Sequence, residues 1–407
     1  MKCRHCGNEL KHEFIDLFNS PPSNSYLTYN QLNEPEILYP LKVLVCDNCF
    51  LVQIDEYKKF DEIFNSEYAY FSSFSSSWLE HSKKYVDMIT EKLDLDENSL
   101  VVEIASNDGY LLQYFKEKAI PCLGIEPTAS TAEVAKSKGI DVVEDFFNVS
   151  LASSLKKADL ILGNNVLAHV PDINDFVKGL KLALKPNGVI TMEFPHLLNL
   201  INYNQFDTIY HEHFSYLSLI AVKRIFESQG LKIFDVEELA THGGSLRVYA
   251  THIENNNIIY KLNDSVDLIL NEEKDAKLDK IEGYLNFEEN AQKIKLDFLE
   301  FLLKAKKEGK SVVAYGAAAK GNTLLNYCGI KSDLIKFVVD ASPHKQNKFM
   351  PFSHIPILSK EAIENEKPDY IIILPWNIKE EVINLLTYVK DWNCKYVLPT
   401  PELKIID

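Results

Sequence analysis

The strongest constraint on the fold is an alternation, repeated twice, of short apolar runs with helical segments. Between Ser99 and about Tyr249 the runs Leu100–Ile104, Cys122–Ile125, Leu160–Gly163 and Val189–Phe194 read as strands, each separated from the next by helical or loop sequence. Parallel strands need crossover connections, and helices in those crossovers cover both faces of the sheet, so the pattern predicts a doubly wound α/β domain. The alternation resumes at Ser311–Tyr315 and continues through Ile335–Val339, Tyr370–Leu374 and Tyr396–Leu398, which predicts a second nucleotide-type half in tandem. From about Asn255 to Gly309 the chain is rich in Lys, Glu, Asp and Asn, and Phe287, Leu296, Phe298, Leu299 and Leu302 recur at helical spacing, so one or two connecting helices are expected there.

The N-terminus differs from both halves. Four of the seven cysteines lie within the first 49 residues, as Cys3-x-x-Cys6 and Cys46-x-x-Cys49, beside a Pro21-Pro22 turn and strand-like runs at Leu41–Val45 and Leu51–Ile54. Two thiolates on a tight turn face one ion, and two such turns supply the four soft ligands of a closed tetrahedral zinc site. The 39 residues between the pairs exceed the ribbon spacing of about 15–20 and leave room for a loop. Buried free cysteines are the competing reading. They would not explain why two such pairs share one segment too small to build a core. With all four positions taken by thiolates, the ion has a structural role.

The 43 Lys+Arg against 59 Asp+Glu give a net charge of −16, and no basic run offsets it, so nucleic acid is not expected as a main partner. No apolar stretch approaches the roughly 20 residues of a membrane helix. The start Met1-Lys2-Cys3-Arg4 has no apolar run of a secretory signal, so a cytoplasmic location is expected.

The first strand of the first half runs into Glu103-Ile104-Ala105-Ser106-Asn107-Asp108-Gly109, and the helix Tyr110–Phe115 should follow. The next strand ends at Glu126, 17 residues after Gly109, where a carboxylate can accept both ribose hydroxyls of an adenosine. The turn lacks the G-x-G-x-x-G of dinucleotide sites. Its acids would repel a pyrophosphate but tolerate a sulfonium, which favours S-adenosylmethionine over NAD. Asp145-Phe146-Phe147, after the third strand, is placed either over the adenine or in the core.

Two further segments carry the residue types of chemistry. Asn164-Asn165-Val166-Leu167-Ala168-His169 follows a strand whose C-terminal edge should face the cofactor, with His169 either functional or a satisfied loop histidine. Phe206-Asp207-Thr208-Ile209-Tyr210-His211-Glu212-His213-Phe214-Ser215-Tyr216 is the richest stretch: extended, it sends Tyr210 and Glu212 to one side and His211 and His213 to the other, whereas turned, most converge. It is not H-E-x-x-H, so the helical zinc-protease arrangement is excluded.

Taken together, the paired Cys-x-x-Cys turns, Glu103–Gly109, Asn165-x3-His169, Phe206–Tyr216, His242-Gly243-Gly244-Ser245-Leu246-Arg247 and Gly316-Ala317-Ala318-Ala319-Lys320-Gly321-Asn322-Thr323 resemble the nucleotide-sugar C-methyltransferases over nearly the whole chain. The resemblance implies a zinc-binding module over residues 1–72, a Rossmann-like methyltransferase core over 73–256, and linker helices with a second Rossmann-like α/β domain over 257–407. It implies methyl transfer from S-adenosylmethionine to the carbon beside the ketone of a 4-keto sugar nucleotide. His213 would be the base, Tyr210 and Glu212 would bind or polarise the sugar, and His169 and a tyrosine of Tyr68-Ala69-Tyr70, with Tyr70 preferred, would line the pocket. Glu103, Ser106, Asn107, Asp108, Gly109, Glu126, Asp145, Phe146 and Asn165 would hold the cofactor; Cys3, Cys6, Cys46 and Cys49 the zinc.

In the C-terminal half, Lys320 and Asn322 at the helix start, and Lys345, would hold the nucleotide of the substrate, unless this half is a lid without a ligand. Arg247 either contacts phosphate or braces the edge of the core. Two positions depart from the family pattern: Ala105 and Phe352 stand where glycine is usual. Methyl transfer to nitrogen or oxygen of a related sugar, and an inactive zinc-scaffolded binding protein, are the alternatives. A monomer is expected because each part of the site has a source in one chain.

Overall fold

The computed structural model describes residues 1–57, 71–257, 260 and 262–407. Its three sheets follow the expected sequence of modules. The first is antiparallel, in the order β1 (His12–Ser20), β2 (Tyr39–Val45), β3 (Val52–Ile54) and a short distant strand, β9 (Ser215–Tyr216).

The second sheet has seven strands. Helix α1 (Ser76–Lys92) precedes β4 (Val101–Ile104), which is followed by α2 (Leu112–Glu117), β5 (Cys122–Ile125), α3 (Ala129–Ser137), β6 (Asp141–Val143), α4 (Val149–Ser154) and β7 (Ala158–Asn164). Then come α5 (Ile173–Ala183), β8 (Leu184–Pro195), α6 (Leu197–Asn202), α7 (Leu219–Ser228), β10 (Leu231–Leu239) and β11 (Ser245–His252). The order β10-β11-β8-β7-β4-β5-β6 puts β4 near the centre, with both neighbours parallel to it and only the β8-β11-β10 edge antiparallel. All four residues of β4 are buried, as a strand covered by helices on both faces requires.

Helices α8 (Asp264–Asp275) and α9 (Phe287–Lys307) lead to the third sheet. It contains β12 (Val312–Tyr315), β13 (Val338–Val339), β14 (Ile357–Leu358), β15 (Tyr370–Ile373), β16 (Lys395–Leu398) and β17 (Lys404–Ile406), with α10 (Ala319–Cys328) after β12. The order is β14-β13-β12-β15-β16-β17, parallel except at β17. No helix among the described residues is long and apolar enough to cross a membrane.

The N-terminal sheet has no core of its own, as its size requires. Its buried Phe14, Ile15, Leu17, Leu41 and Val43 pack in one cluster with Phe287, Ile294, Phe298 and Leu302 of α9 and Leu324 and Leu325 of α10. The buried stripe of α9 is Phe287, Ala291, Ile294, Phe298, Leu302 and Ala305; Leu296, expected on it, is 66% exposed because it falls on the opposite face of the 3.6-residue turn.

Glu273 on α8 ties the linker to the core. Its fully buried carboxylate accepts from His196 Nε2 at 2.7 Å and from the backbone N–H groups of Leu219 and Ile220, at 2.6 and 2.8 Å, which open α7 and have no partner within the helix. Glu273→Ala strands three donors together, and an expected loss of about 3–5 kcal/mol should appear as a lowered unfolding midpoint by circular dichroism.

Candidate active site

The two Cys-x-x-Cys segments form matching turns. Gly7 N–H bonds Cys3 O and Phe50 N–H bonds Cys46 O, each at 2.9 Å, and Gly7 and Phe50 both take positive φ, 72° and 62°. The four sulfurs of Cys3, Cys6, Cys46 and Cys49 lie within 4.8 Å of one another, with Cys3–Cys49 and Cys6–Cys46 at 3.5 Å. Tetrahedral zinc with bonds of about 2.3 Å separates its sulfurs by about 3.8 Å, so the cluster fits the ion. Gln53 Nε2 donates to Cys3 Sγ at 3.2 Å.

At the end of β4 the chain coils through three left-handed residues, Ala105 (φ 57°), Asn107 (φ 50°) and Gly109 (φ 72°). A Cβ on Gly109 would meet Ile140 Cδ1 at 2.4 Å, so space and conformation both demand glycine there. Glu126, 4% exposed, accepts from Asn107 N–H and Thr128 N–H, both at 2.9 Å, and so stands against the turn. Glu103 is fully buried, and burial pushes its carboxyl well above the usual range while Tyr110 draws it back. Asp108 Oδ1 has no hydrogen-bond partner among the described residues. Ser106, Asn107, Asp108, Gly109 and Glu126 thus form a cradle with an acidic lining, which suits a cationic sulfonium with its ribose and disfavours a pyrophosphate.

Asp145 N–H and Glu126 N–H share Val143 O, at 3.1 and 3.0 Å, which places Asp145 and Phe146 beside Glu126. Phe147 turns inward, edge-on to Phe176 at 5.4 Å, and belongs to the core. Asn107 Oδ1 and Asp108 Oδ2 accept from Ser72 and Ser73 N–H, at 2.9 and 3.2 Å, so the segment before α1 rests on the turn. Tyr68 and Tyr70 lie outside the described residues.

Ala105 and Phe352, the two departures from glycine, both have left-handed φ, 57° and 60°. The strain in each is about 1–2 kcal/mol. Ala105→Gly should therefore raise thermal stability by about 1 kcal/mol after the entropy cost of glycine, measured by melting with and without S-adenosylmethionine.

The segment after α6 is turned, not extended. Phe206–Thr208 forms one 3-10 turn, His213 N–H bonds Tyr210 O at 3.0 Å, and β9 then pairs with β3. Tyr210 and His213 lie with ring centroids 4.1 Å apart and planes tilted by 34°, and His169 meets His213 at 4.7 Å, 62° between ring planes. His211 leaves the group and meets Pro40 O at 3.1 Å and Tyr39 edge-on. His213 Nδ1 donates to Thr208 O at 2.9 Å and His169 Nδ1 to Glu212 O at 2.7 Å. A carbonyl only accepts, so the proton of each neutral ring sits on Nδ1 and Nε2 of His213 is the basic nitrogen. Burial, then the neighbouring His169, holds His213 well below the ordinary histidine range, and burial lowers His169 to about 4.

Asn24, Tyr26, Trp376 and His242, distant in sequence, complete the cluster, and the sequence reading gave these four no role. Asn24 Nδ2 donates to Glu212 Oε1 at 2.7 Å, and Tyr26 donates to Ala317 O at 2.5 Å, which also accepts from Lys345 Nζ at 2.9 Å. Trp376 Nε1 donates to buried Asp207 Oδ2 at 2.7 Å, and burial raises Asp207 to about 6. Asn165 Nδ2 donates to His242 Nε2 at 2.8 Å. Only His242, within the quoted His-Gly-Gly motif, carried a local signal.

Lys320 lies over the Trp376 ring at 4.5 Å, and its charge reaches His213 and His242, so it faces this cluster. Asn322 is fully buried, with Oδ1 accepting from Asn326 at 2.9 Å. The phosphate-contact reading of Arg247 is corrected. Its buried guanidinium donates to Glu193 at 2.8 Å and Glu237 at 3.0 Å and lies over Tyr85, so these contacts engage it in bracing the core.

The seven-stranded sheet with its acid-lined turn defines the class: an S-adenosylmethionine-dependent methyltransferase with a structural zinc site. Family models agree with this: a zinc binding domain matches residues 3–64, a methyltransferase domain 78–236, and a C-methyltransferase C-terminal domain 240–401. C-methyltransferase NovU of Streptomyces niveus is 32% identical over 409 residues, 100% of this chain and 96% of that protein. The chain belongs to this C-methyltransferase family and acts on a small molecule. The ubiquinone biosynthesis O-methyltransferase of Histophilus somni is 28% identical over 28% of this chain and 48% of its own length. A solved S-adenosylmethionine-dependent methyltransferase from Clostridium acetobutylicum superposes with a TM-score of 0.35 at 12% identity, covering 42% of this chain and 91% of that one.

Proposed function

We propose that the chain methylates C3′ of a nucleotide-linked 4-keto-deoxysugar, with His213 as base. One observation carries this reading: a buried imidazole whose Nδ1 is held by Thr208 O lies against a tyrosine ring, tilted 34° to it, and abuts a second imidazole. Carbon has no lone pair, so its α proton must leave while donors hold the developing enolate oxygen. His213 Nε2 takes the proton, Tyr210 donates to the oxygen, and Glu212, His169 and Tyr70 line the sugar. Bound S-adenosylmethionine supplies an electrophilic methyl group. Glu103, Ser106, Asn107, Asp108, Gly109, Glu126, Asp145, Phe146 and Asn165 orient it. Lys320, with Asn322 and Lys345 near the turn Gly316–Ala318, holds the nucleotide. The module bounds 1–72, 73–256 and 257–407 belong to the same reading.

The test incubates nucleotide 4-keto-sugars with S-adenosylmethionine in deuterated water and reads mass. One added methyl with deuterium exchange at the adjacent carbon supports C-methylation. Transfer without such exchange supports nitrogen or oxygen as acceptor, and no transfer across a broad panel supports a binding protein.

The pH dependence follows from the same rings. Because His213 is held below the usual histidine range, kcat/KM should keep its base through pH 6.5 and fall only in more acid solution. Stability shares this direction. The unfolded imidazoles bind protons from about pH 6.5 downward and the folded ones do not, so their contribution is whole above about 6.5 and is lost as pH falls toward the value of about 4 of His169.

A further inference from the structure

We propose that Arg4, carried inside the first Cys-x-x-Cys turn, is a positioning residue that sets the geometry of the His169–His213 pair, so that the zinc turn serves the chemistry as well as the fold. This inference rests on the reading of His213 as base. With Cys3 and Cys6 turned toward one ion, Arg4 and His5 must project away from it, and both reach the methyltransferase core.

The guanidinium spans two segments. Arg4 Nη1 donates to Pro171 O and Nη2 to Ile54 O, both at 2.6 Å, and its carbon lies 5.3 Å from the centre of the Phe214 ring. Pro171 stands two residues after His169, and Phe214 directly follows His213. Ile54 N–H in turn bonds Phe214 O at 3.2 Å, where β3 meets the strand that continues from the base. Both histidine-bearing segments therefore meet at one planar cation, whose fork of donors reaches two carbonyls at once; an ammonium is a point charge with no such fork.

The other side of Arg4 is tied to the metal turn. Its backbone N–H bonds Gln53 Oε1 at 2.9 Å while Gln53 Nε2 donates to Cys3 Sγ. His5 and Asn174 add a reciprocal pair, with His5 Nδ1 to Asn174 Oδ1 and Asn174 Nδ2 to His5 O, each 2.8 Å, at the start of α5 just beyond Pro171. A chain of direct contacts thus runs from the thiolates through Arg4 to the backbone on either side of the imidazole pair. A base displaced by about 1 Å loses about 10²-fold in rate, so the tie has kinetic consequences.

The test compares full-length, zinc-loaded wild type with Arg4→Gln, Arg4→Lys and Asn174→Ala, the last substituting no residue of the thiolate turn and removing only its bonds to His5, should Arg4→Gln lose zinc or fail to fold. Zinc content, melting temperature and S-adenosylmethionine affinity are measured first and are expected to stay near wild type. In Arg4→Gln, kcat should fall about 10–100-fold with KM within about threefold, and Arg4→Lys should recover part of it. Proteins labelled with 15N-histidine give a readout that needs no substrate. Two-bond 1H–15N correlations of His169 and His213, assigned by His169→Asn and His213→Asn, should lose the single Nδ1–H pattern in Arg4→Gln and shift in Asn174→Ala. Unchanged imidazole signals and unchanged kcat, in variants that keep zinc, overturn the proposal. If His213→Asn remains active, the base assignment fails instead, and the imidazole signals still judge what Arg4 holds in place.

Discussion

His213→Asn should reduce methyl transfer by about 10²–10⁴-fold, the contribution of a positioned base, while S-adenosylmethionine binds as before. Asparagine preserves a donor for Thr208 O but offers no nitrogen that accepts a proton near neutral pH. The cofactor turn is held by Glu126 and by the Ser72–Ser73 segment, and none of those contacts passes through His213. Calorimetry of S-adenosylmethionine and single-turnover mass spectrometry separate the two effects. Exchange of the α proton in deuterated water, with the methyl donor omitted, isolates the base step. Exchange that persists in His213→Asn while transfer is lost would place the base elsewhere. Tyr210→Phe should cost less, about 10²–10³-fold, because it removes one donor to the enolate oxygen and leaves the base in place.

Cys46→Ser should have a comparably large effect on activity by another route. Apparent binding free energies of structural zinc reach about 10–16 kcal/mol in small zinc-dependent folds, and a hydroxyl does not replace a thiolate ligand. The N-terminal sheet packs its apolar side chains in one cluster with α9, α10 and residues between Leu197 and Phe214, and it holds the strand that follows His213 as its fourth member. Losing the ion should release β1 to β3, withdraw support from β9 and expose Phe14, Ile15 and Leu17. Metal content should fall toward zero, limited proteolysis should cut between residues 1 and 57 first, and activity should fall with them. A Cys46→Ser protein that keeps its activity while losing its metal would show that the module stands without the ion.

Much of the architecture is written locally. The runs at Val101–Ile104, Cys122–Ile125 and Tyr370–Ile373 are short and largely apolar, as central parallel strands covered on both faces require, and their observed bounds match those read off the sequence to within one residue. The zinc turns are legible for a similar reason, since each pair of ligands lies within four residues and the repeat of the pair identifies its partner. Ala105 shows a finer case: the sequence shows that glycine is missing from a turn, and the φ of 57° shows why glycine is usual there.

What escaped is what depends on contact between segments far apart in sequence. β9 has two residues and no strand pattern of its own; it exists because β3 presents a free edge to it. The alternation of the Tyr210–His213 segment was compatible with either an extended or a turned chain. The turned form is held by Thr323 Oγ1 donating to Ile209 O at 2.9 Å from α10 and by the pairing of β9 with β3. Arg247 looked available for a phosphate until β8 and β10 placed two carboxylates beside it. The class of fold, the zinc ligands and the tight turn after β4 are legible along the chain, because periodicity, turn chemistry and ligand spacing act over a few residues. Which histidines meet, which nitrogen of each carries the proton and which module holds them emerge from the folded chain alone, because those are set by hydrogen bonds across distances in sequence that no local pattern encodes.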